Sequence, residues 1–173
     1  MLFRRPGTPR RRKLVILIQA LVLLALFLGL RMWAHRDMVS GPAPEITTHL
    51  ISGENFSTRD YKGKAWMLHF WADWCAICKA EQGAITSVAE HWPVITVAMQ
   101  SGSRPDVEDY LRNRSLDWNT IVDESGTLAK RYGVTAVPAT FIIDSDGIIR
   151  FSEMGYSTSW GLRFRLWLTN NIY

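Results

Sequence analysis

The sequence predicts an α/β domain carried behind one N-terminal membrane-spanning helix, on three observations. Residues 14–30 (LVILIQALVLLALFLGL) hold no charge and a single polar side chain, Gln19. Downstream, short apolar runs of the kind found in buried strands alternate with segments of helical periodicity. Near the end, ATFIID and IIRFSE flank Ser145-Asp146-Gly147, a hairpin pattern followed by a last helical segment.

The N-terminal segment is justified by charge and length. A chain of 173 residues suits one domain of the usual ~100–150 residues with a segment attached, and 47% hydrophobic content is enough for a core. The net charge of +4 arises in the first thirteen residues, which hold Arg4, Arg5, Arg10, Arg11, Arg12 and Lys13. The remainder carries 14 basic against 16 acidic residues, about −2, a layout that excludes a basic nucleic-acid binder. As a helix rising ~1.5 Å per residue, residues 14–30 span roughly 26 Å, within reach of a ~30 Å hydrocarbon core with help from Met32 and Trp33. The run passes into Arg31-Met32-Trp33-Ala34-His35-Arg36, which offers no small-x-small cleavage site, so an uncleaved anchor is expected rather than a signal peptide. Arg11-Arg12 invites a twin-arginine reading that the following residues fit poorly. Six positive charges before the span, against Arg31 and Arg36 after it, put the N-terminus inside. The expected organisation is a cytoplasmic basic segment (1–13), a single-pass anchor in a bacterial inner membrane (14–30), a linker (31–42) and a periplasmic domain (43–173). Disulfides persist in that compartment.

Within the domain, ITTHLIS and ENFSTRDYKGK predict a short strand or hairpin ending in a turn at Gly63. AWMLHFW, residues 65–71, is an almost continuous apolar run, as expected of a central strand buried on both faces. The pattern turns helical from Cys75 to about Glu90 and is stopped by Pro93. VITVAM reads as a second buried strand, Arg104 to Arg114 as a polar-faced helix, TIVD as a short strand, and SGTLAKRYG as a helix closed by Gly133. The hairpin follows, and Ser159 to Leu168 is the final helix. No internal repeat or low-complexity segment is present.

The only two cysteines, Cys75 and Cys78, lie in WADWCAICKAE, directly after the central strand and at the first turn of a helix. Free backbone N–H groups and the positive end of the helix dipole converge there. A thiolate at Cys75 is stabilised in that position, which makes it the nucleophile. Cys78, one turn on and more shielded, is placed to resolve a mixed disulfide. Three uses of the pair stand at this point: reversible disulfide exchange, as a reductant or an oxidant; a Cu(I) or Zn(II) module, with His49 or His91 adding a ligand; and a structural staple. A closed zinc site would want four ligands, and there is no second cysteine pair. A staple closing so short a loop contributes little.

Trp-x-x-Trp-Cys-x-x-Cys-Lys after a buried strand, with YGVTAVPATFIID about sixty residues later, resembles the thioredoxin superfamily. Cys-x-x-Cys-Lys-x-Glu and the extra helix and strand between the two motifs are similar to the membrane-anchored bacterial branch that includes TlpA-like and cytochrome c maturation proteins, and to the anchored thioredoxin-like member of the copper-sensitivity suppressor systems. The resemblance covers about residues 43–170. It implies a thioredoxin-like fold with a central mixed sheet, flanking helices and a helix-strand insert. It also implies thiol-disulfide exchange with client proteins, without cofactor or resident metal. Its anchored members suggest a reductant recharged by a membrane electron-transfer protein of the DsbD-like type.

The resemblance also assigns residues. Val137-Pro138 maps onto a cis X-Pro bond packed against the disulfide, with the Val137 backbone pairing an extended client segment beside Cys75. Trp74 and Pro138 line the same surface. Glu81, three residues after Cys78, is either the acid that manages the Cys78 proton or a solvated helix residue, and an acid at this offset in the family favours the former. His69 departs from the Asp or Asn expected six residues before the first cysteine. It is either a proton acceptor titrating near neutral pH, making resolution pH-dependent between about pH 6 and 8, or a neutral core histidine with one hydrogen bond. Ala76-Ile77 between the cysteines lacks the common proline, so the redox potential does not follow from the motif.

Overall fold

In the computed structural model, which describes residues 9–35 and 37–172, the chain divides into two compact units, residues 1–36 and 37–173. The first contains one long helix, α1 (Pro9–His35), whose described apolar side chains from Leu14 to Leu26 are exposed. Among the described residues no helix is long and apolar enough to cross a membrane. The expected span at 14–30 includes residues 27, 28 and 30, whose side chains lie outside the described set, as do Arg4 and Arg5.

In the second unit the elements run β1 (Gly41–Pro42), β2 (Thr47–His49), β3 (Asn55–Ser57), a 3-10 turn (Thr58–Tyr61), β4 (Trp66–Trp71), α2 (Ala76–Ala89), β5 (Val94–Met99), α3 (Arg104–Asn113), β6 (Thr120–Asp123), α4 (Thr127–Arg131), β7 (Ala139–Ile143), β8 (Ile148–Met154) and α5 (Ser159–Ile172). Among the described residues the main sheet has the order β1-β8-β7-β4-β5-β6. Strands β4, β5 and β6 are parallel, while β7, β8 and β1 join antiparallel, so the sheet is mixed. All six residues of β4 are buried, as its apolar run requires of a central strand covered on both faces. The insert between the two motifs is α3 with β6, and β6 extends the sheet at the edge beyond β5.

The folded unit begins at Asp37 rather than at residue 43. Met38 is buried in the core, the Val39 N–H donates to the Tyr132 carbonyl at 3.2 Å, and Gly41-Pro42 pairs with Ile149 and Ile148 of β8. A Gly/Pro-rich stretch thus serves as an edge strand, the place in a sheet where a proline's missing N–H does least harm. Gly133 closes α4 in the left-handed region, at φ +68°, and a Cβ there would stand 1.7 Å from the Asp37 carbonyl oxygen. Only glycine lets the N-terminal segment approach so closely.

Side-chain alternation divides the core in two. Trp66, Leu68, Phe70, Ile95, Val97, Phe141 and Ile143 face one side, packed with Tyr132 and Leu128. Met67, Trp71, Val94, Ala98 and Ile142 face the other, against Cys75, Cys78 and Ile85 near and on α2, and Leu162 and Leu166 of α5.

Candidate active site

The site starts from the end of β4. Beyond Trp71 the chain turns through Ala72-Asp73-Trp74, and Cys75 becomes the N-cap of α2 with extended backbone angles of φ −81° and ψ 113°. Its Sγ accepts the Cys78 backbone N–H at 3.1 Å, one of the orphan donors of a helix start. The two sulfurs form a disulfide across Cα atoms 5.3 Å apart, and both cysteines are buried, at 7% and 4% exposure. The same N–H and the helix dipole stabilise a Cys75 thiolate once the bond is reduced.

Two loops frame the sulfurs. The Val137–Pro138 peptide is cis, and the Val137 carbonyl oxygen lies 3.5 Å from Cys75 Sγ. On the other side, the loop after β5 holds the active-site turn. Ser101 Oγ accepts the Asp73 N–H at 3.1 Å and donates to the Met99 carbonyl. Trp74 Nε1 donates to the Gln100 carbonyl at 3.1 Å, and Gln100 sits at a positive φ of 48°. Trp74 and Ile77 nonetheless present 59% and 51% of their surface to solvent, an apolar rim beside a buried disulfide.

Beneath α2 the sheet carries a polar row. In register across five strands lie Thr120 of β6, Thr96 of β5, His69 of β4, Thr140 of β7 and Glu153 of β8. Thr96 and Thr120 share a hydrogen bond at 2.8 Å, and His69 Nδ1 is 2.9 Å from Thr140 Oγ1. Burial pushes the His69 imidazole down to about 3, so it is neutral throughout the physiological range. That shift runs against the expected titration of His69 between pH 6 and 8. Its environment is that of a neutral core histidine with a hydroxyl partner.

Glu81 occupies the buried stripe of α2 with Cys78, Ile85 and Val88 and has 0% exposure. Its Oε1 accepts the Ser157 backbone N–H at 2.9 Å, and among the described residues its Oε2 has no partner. Burial raises its pKa to about 7; the Ser157 hydrogen bond opposes the rise and the Glu153 charge adds to it. The group poised to change charge near neutrality is thus the carboxyl three residues after Cys78. Of the other candidate ligands, His49 lies on β2, and His91 follows the C-terminus of α2, about 20 Å along a 14-residue helix from the sulfurs.

The comparisons agree with this geometry. The AhpC/TSA family profile matches residues 39–152. The chain belongs to the AhpC/TSA family. Within it, the chain is 31% identical over 160 residues to the thiol:disulfide interchange protein DsbE of Xylella fastidiosa, covering 88% of this chain and 81% of that one. It is 32% identical to a thioredoxin-like protein of Haemophilus influenzae, covering 78% and 81%. Among solved structures, StoA of Bacillus subtilis superposes with a TM-score of 0.64 at 27% identity, covering 73% of this chain and 98% of that one. This AhpC/TSA member has the thioredoxin-like fold and is a thiol-disulfide oxidoreductase with Cys75 and Cys78 as its CxxC pair.

Sequence reasoning singled out seven residues: Cys75, Cys78, Trp74, Val137 and Pro138 lie at the disulfide or in the loops beside it, Glu81 is buried in the second turn of α2, and His69 is buried in β4 beneath that helix. It missed Ser101 and Gln100, which hold the turn, and Ser157 and Glu153, which meet Glu81. Their only local trace is a hydroxyl or acid in a segment that otherwise reads as loop or edge strand.

Proposed function

We propose that the chain is a membrane-attached, extracytoplasmic oxidoreductase that reduces disulfides in client proteins and is recharged by a membrane electron-transfer protein of the DsbD-like type. The observation that carries the exchange chemistry is Cys75 at the α2 N-cap, its sulfur against the Val137 carbonyl and beside the exposed Trp74. The Cys75 thiolate attacks one client sulfur and expels the other as a thiolate, which takes up a proton. Cys78 then gives its proton to Glu81 and attacks Cys75 Sγ; the Cys75–client bond breaks as the Cys75–Cys78 disulfide forms, and the second client sulfur leaves as a thiolate that takes up a proton. An extended client segment pairs with the Val137 backbone, while Trp74, Ile77 and Pro138 supply the apolar contact. The uncharged run at 14–30, the exposed apolar side chains described from Leu14 to Leu26 and the preceding basic residues support membrane attachment with the N-terminus inside. Attachment favours recharging by a carrier in the same membrane.

Trapping tests the exchange. Cys78→Ser should accumulate mixed disulfides through Cys75, whereas Cys75→Ser should accumulate none; the reverse pattern overturns the assignment. The potential of the couple, equilibrated against glutathione, tests the direction: a value near −270 mV fits a reductant and one near −120 mV makes the protein an oxidant.

A further inference from the structure

Glu81 is fully buried, yet its surroundings connect it to the surface through one loop. The turn 155–157 between β8 and α5 donates two backbone N–H groups to the active site: Gly155 to the Pro138 carbonyl at 2.8 Å and Ser157 to Glu81 Oε1 at 2.9 Å. The turn therefore ties the proline loop and the helix acid together. It is itself fixed from below. Ser157 Oγ donates to Glu153 Oε2 at 3.3 Å, and Arg165 of α5 holds the other Glu153 oxygen at 2.5 Å. Glu153 and Arg165 retain only 20% and 28% side-chain exposure, so the pair is partly shielded from solvent.

We propose that the Glu153–Arg165 ion pair is the positioning device for Glu81, fixing the turn that holds its carboxyl and, through the balance of the two charges, the pH at which that carboxyl releases its proton. The geometry requires both partners. An unpaired Glu153 would set a second negative charge beside the buried acid, while an unpaired Arg165 would set a positive one. Paired, the two charges oppose each other, and that of Glu153 favours the protonated acid. The other ionisable or charged groups on the neighbouring elements do not substitute for the pair. On α2, Lys79 is half-exposed and the sulfurs are joined; on β4, His69 is neutral. On α5, Arg163 is bound to the Ser87 carbonyl and hydroxyl, further along the helix. The inference rests on Glu81 being the proton partner of Cys78, and its test does not.

The test is the titration of the Glu81 side-chain carboxyl in the oxidised full chain, followed by carbon NMR. Glu153→Gln keeps an oxygen for Ser157 but removes the charge, and the Glu81 midpoint should fall by roughly half a pH unit or more. Arg165→Met leaves Glu153 unbalanced, and the midpoint should rise by a similar amount. The double variant should return close to the parent. Midpoints that stay put, or that move in the same direction in both single variants, overturn the proposal, because loosening of the structure alone would hydrate Glu81 and lower its midpoint in each. The dependence on Cys78 is read separately, from the pH profile of Cys78 alkylation in the reduced Cys75→Ser background. If the carboxyl midpoints shift as expected and that profile does not follow, the device stands and the assignment of Glu81 to Cys78 falls.

Discussion

The two faces of the sheet are built from alternate residues of the same strands and are put to different uses. On one face the rings of Phe70, Tyr132 and Phe141 pack with centroids between 5.2 and 5.9 Å apart, beside Leu68, Ile95 and Val97. On the other, Thr120, Thr96, His69, Thr140 and Glu153 cross the sheet beneath α2, with Glu81 buried above them. The apolar face stabilises through burial and packing. The polar row lies in the same interior and costs desolvation, which bonds such as His69–Thr140 only offset. The contrast teaches that one face is apolar throughout, whereas the other sets a polar row and the Glu81 carboxyl among its apolar contacts. Substitutions on the two should therefore separate by the quantity they change.

The largest effect is expected on the apolar face. Phe141→Ala should cost about 3–5 kcal/mol in denaturant unfolding while leaving the potential of the Cys75–Cys78 couple close to the parent's. Next comes Glu81→Gln. The folded-state pKa of about 7 lies above the ordinary 4.5, so the protonated acid's contribution is fully present below pH 4.5 and is lost as the pH rises through 7. Stability of the oxidised parent should fall by about 3 kcal/mol across that window. Glu81→Gln should flatten the fall, as unfolding curves at pH 4.5, 6 and 8 would show. Thr140→Val removes the partner of His69 Nδ1 and should cost about 1–3 kcal/mol in denaturant unfolding at neutral pH. Trp74→Ala is the smallest for stability, within about 0.5 kcal/mol because the side chain is 59% exposed, and should appear instead as a raised KM for protein clients.

How much of this was legible in the sequence follows the same division. The element order was readable because period two and period 3.6 are local, and the disulfide could be placed at a helix start from a buried strand followed by Cys75. The first strand was not: Gly41-Pro42 becomes a strand only by pairing with Ile148 and Ile149, over a hundred residues away. The polar row was invisible for a related reason. His69, Thr96 and Thr140 are each the one polar residue in an apolar run, Thr120 and Glu153 lie in mixed segments, and only the register aligns His69 with Thr140, and Thr140 with Glu153. His69 illustrates the limit. Its position in β4 predicted burial, but whether burial or a neighbouring charge would govern its proton depended on the partner, which is the Thr140 hydroxyl. Burial raises the Glu81 pKa to about 7, against the Ser157 N–H bond that a turn 76 residues later in the chain supplies, and neither is visible locally in the sequence.

The central claim, that Glu81 and not His69 is the proton partner of the disulfide couple, is tested most directly by the equilibrium potential of Cys75–Cys78 measured from pH 5 to 9 in the parent, Glu81→Gln and His69→Asn proteins. The parent curve is expected to bend near pH 7, His69→Asn to keep that bend, and Glu81→Gln to lose it. A bend that survives in Glu81→Gln and vanishes in His69→Asn would contradict the account.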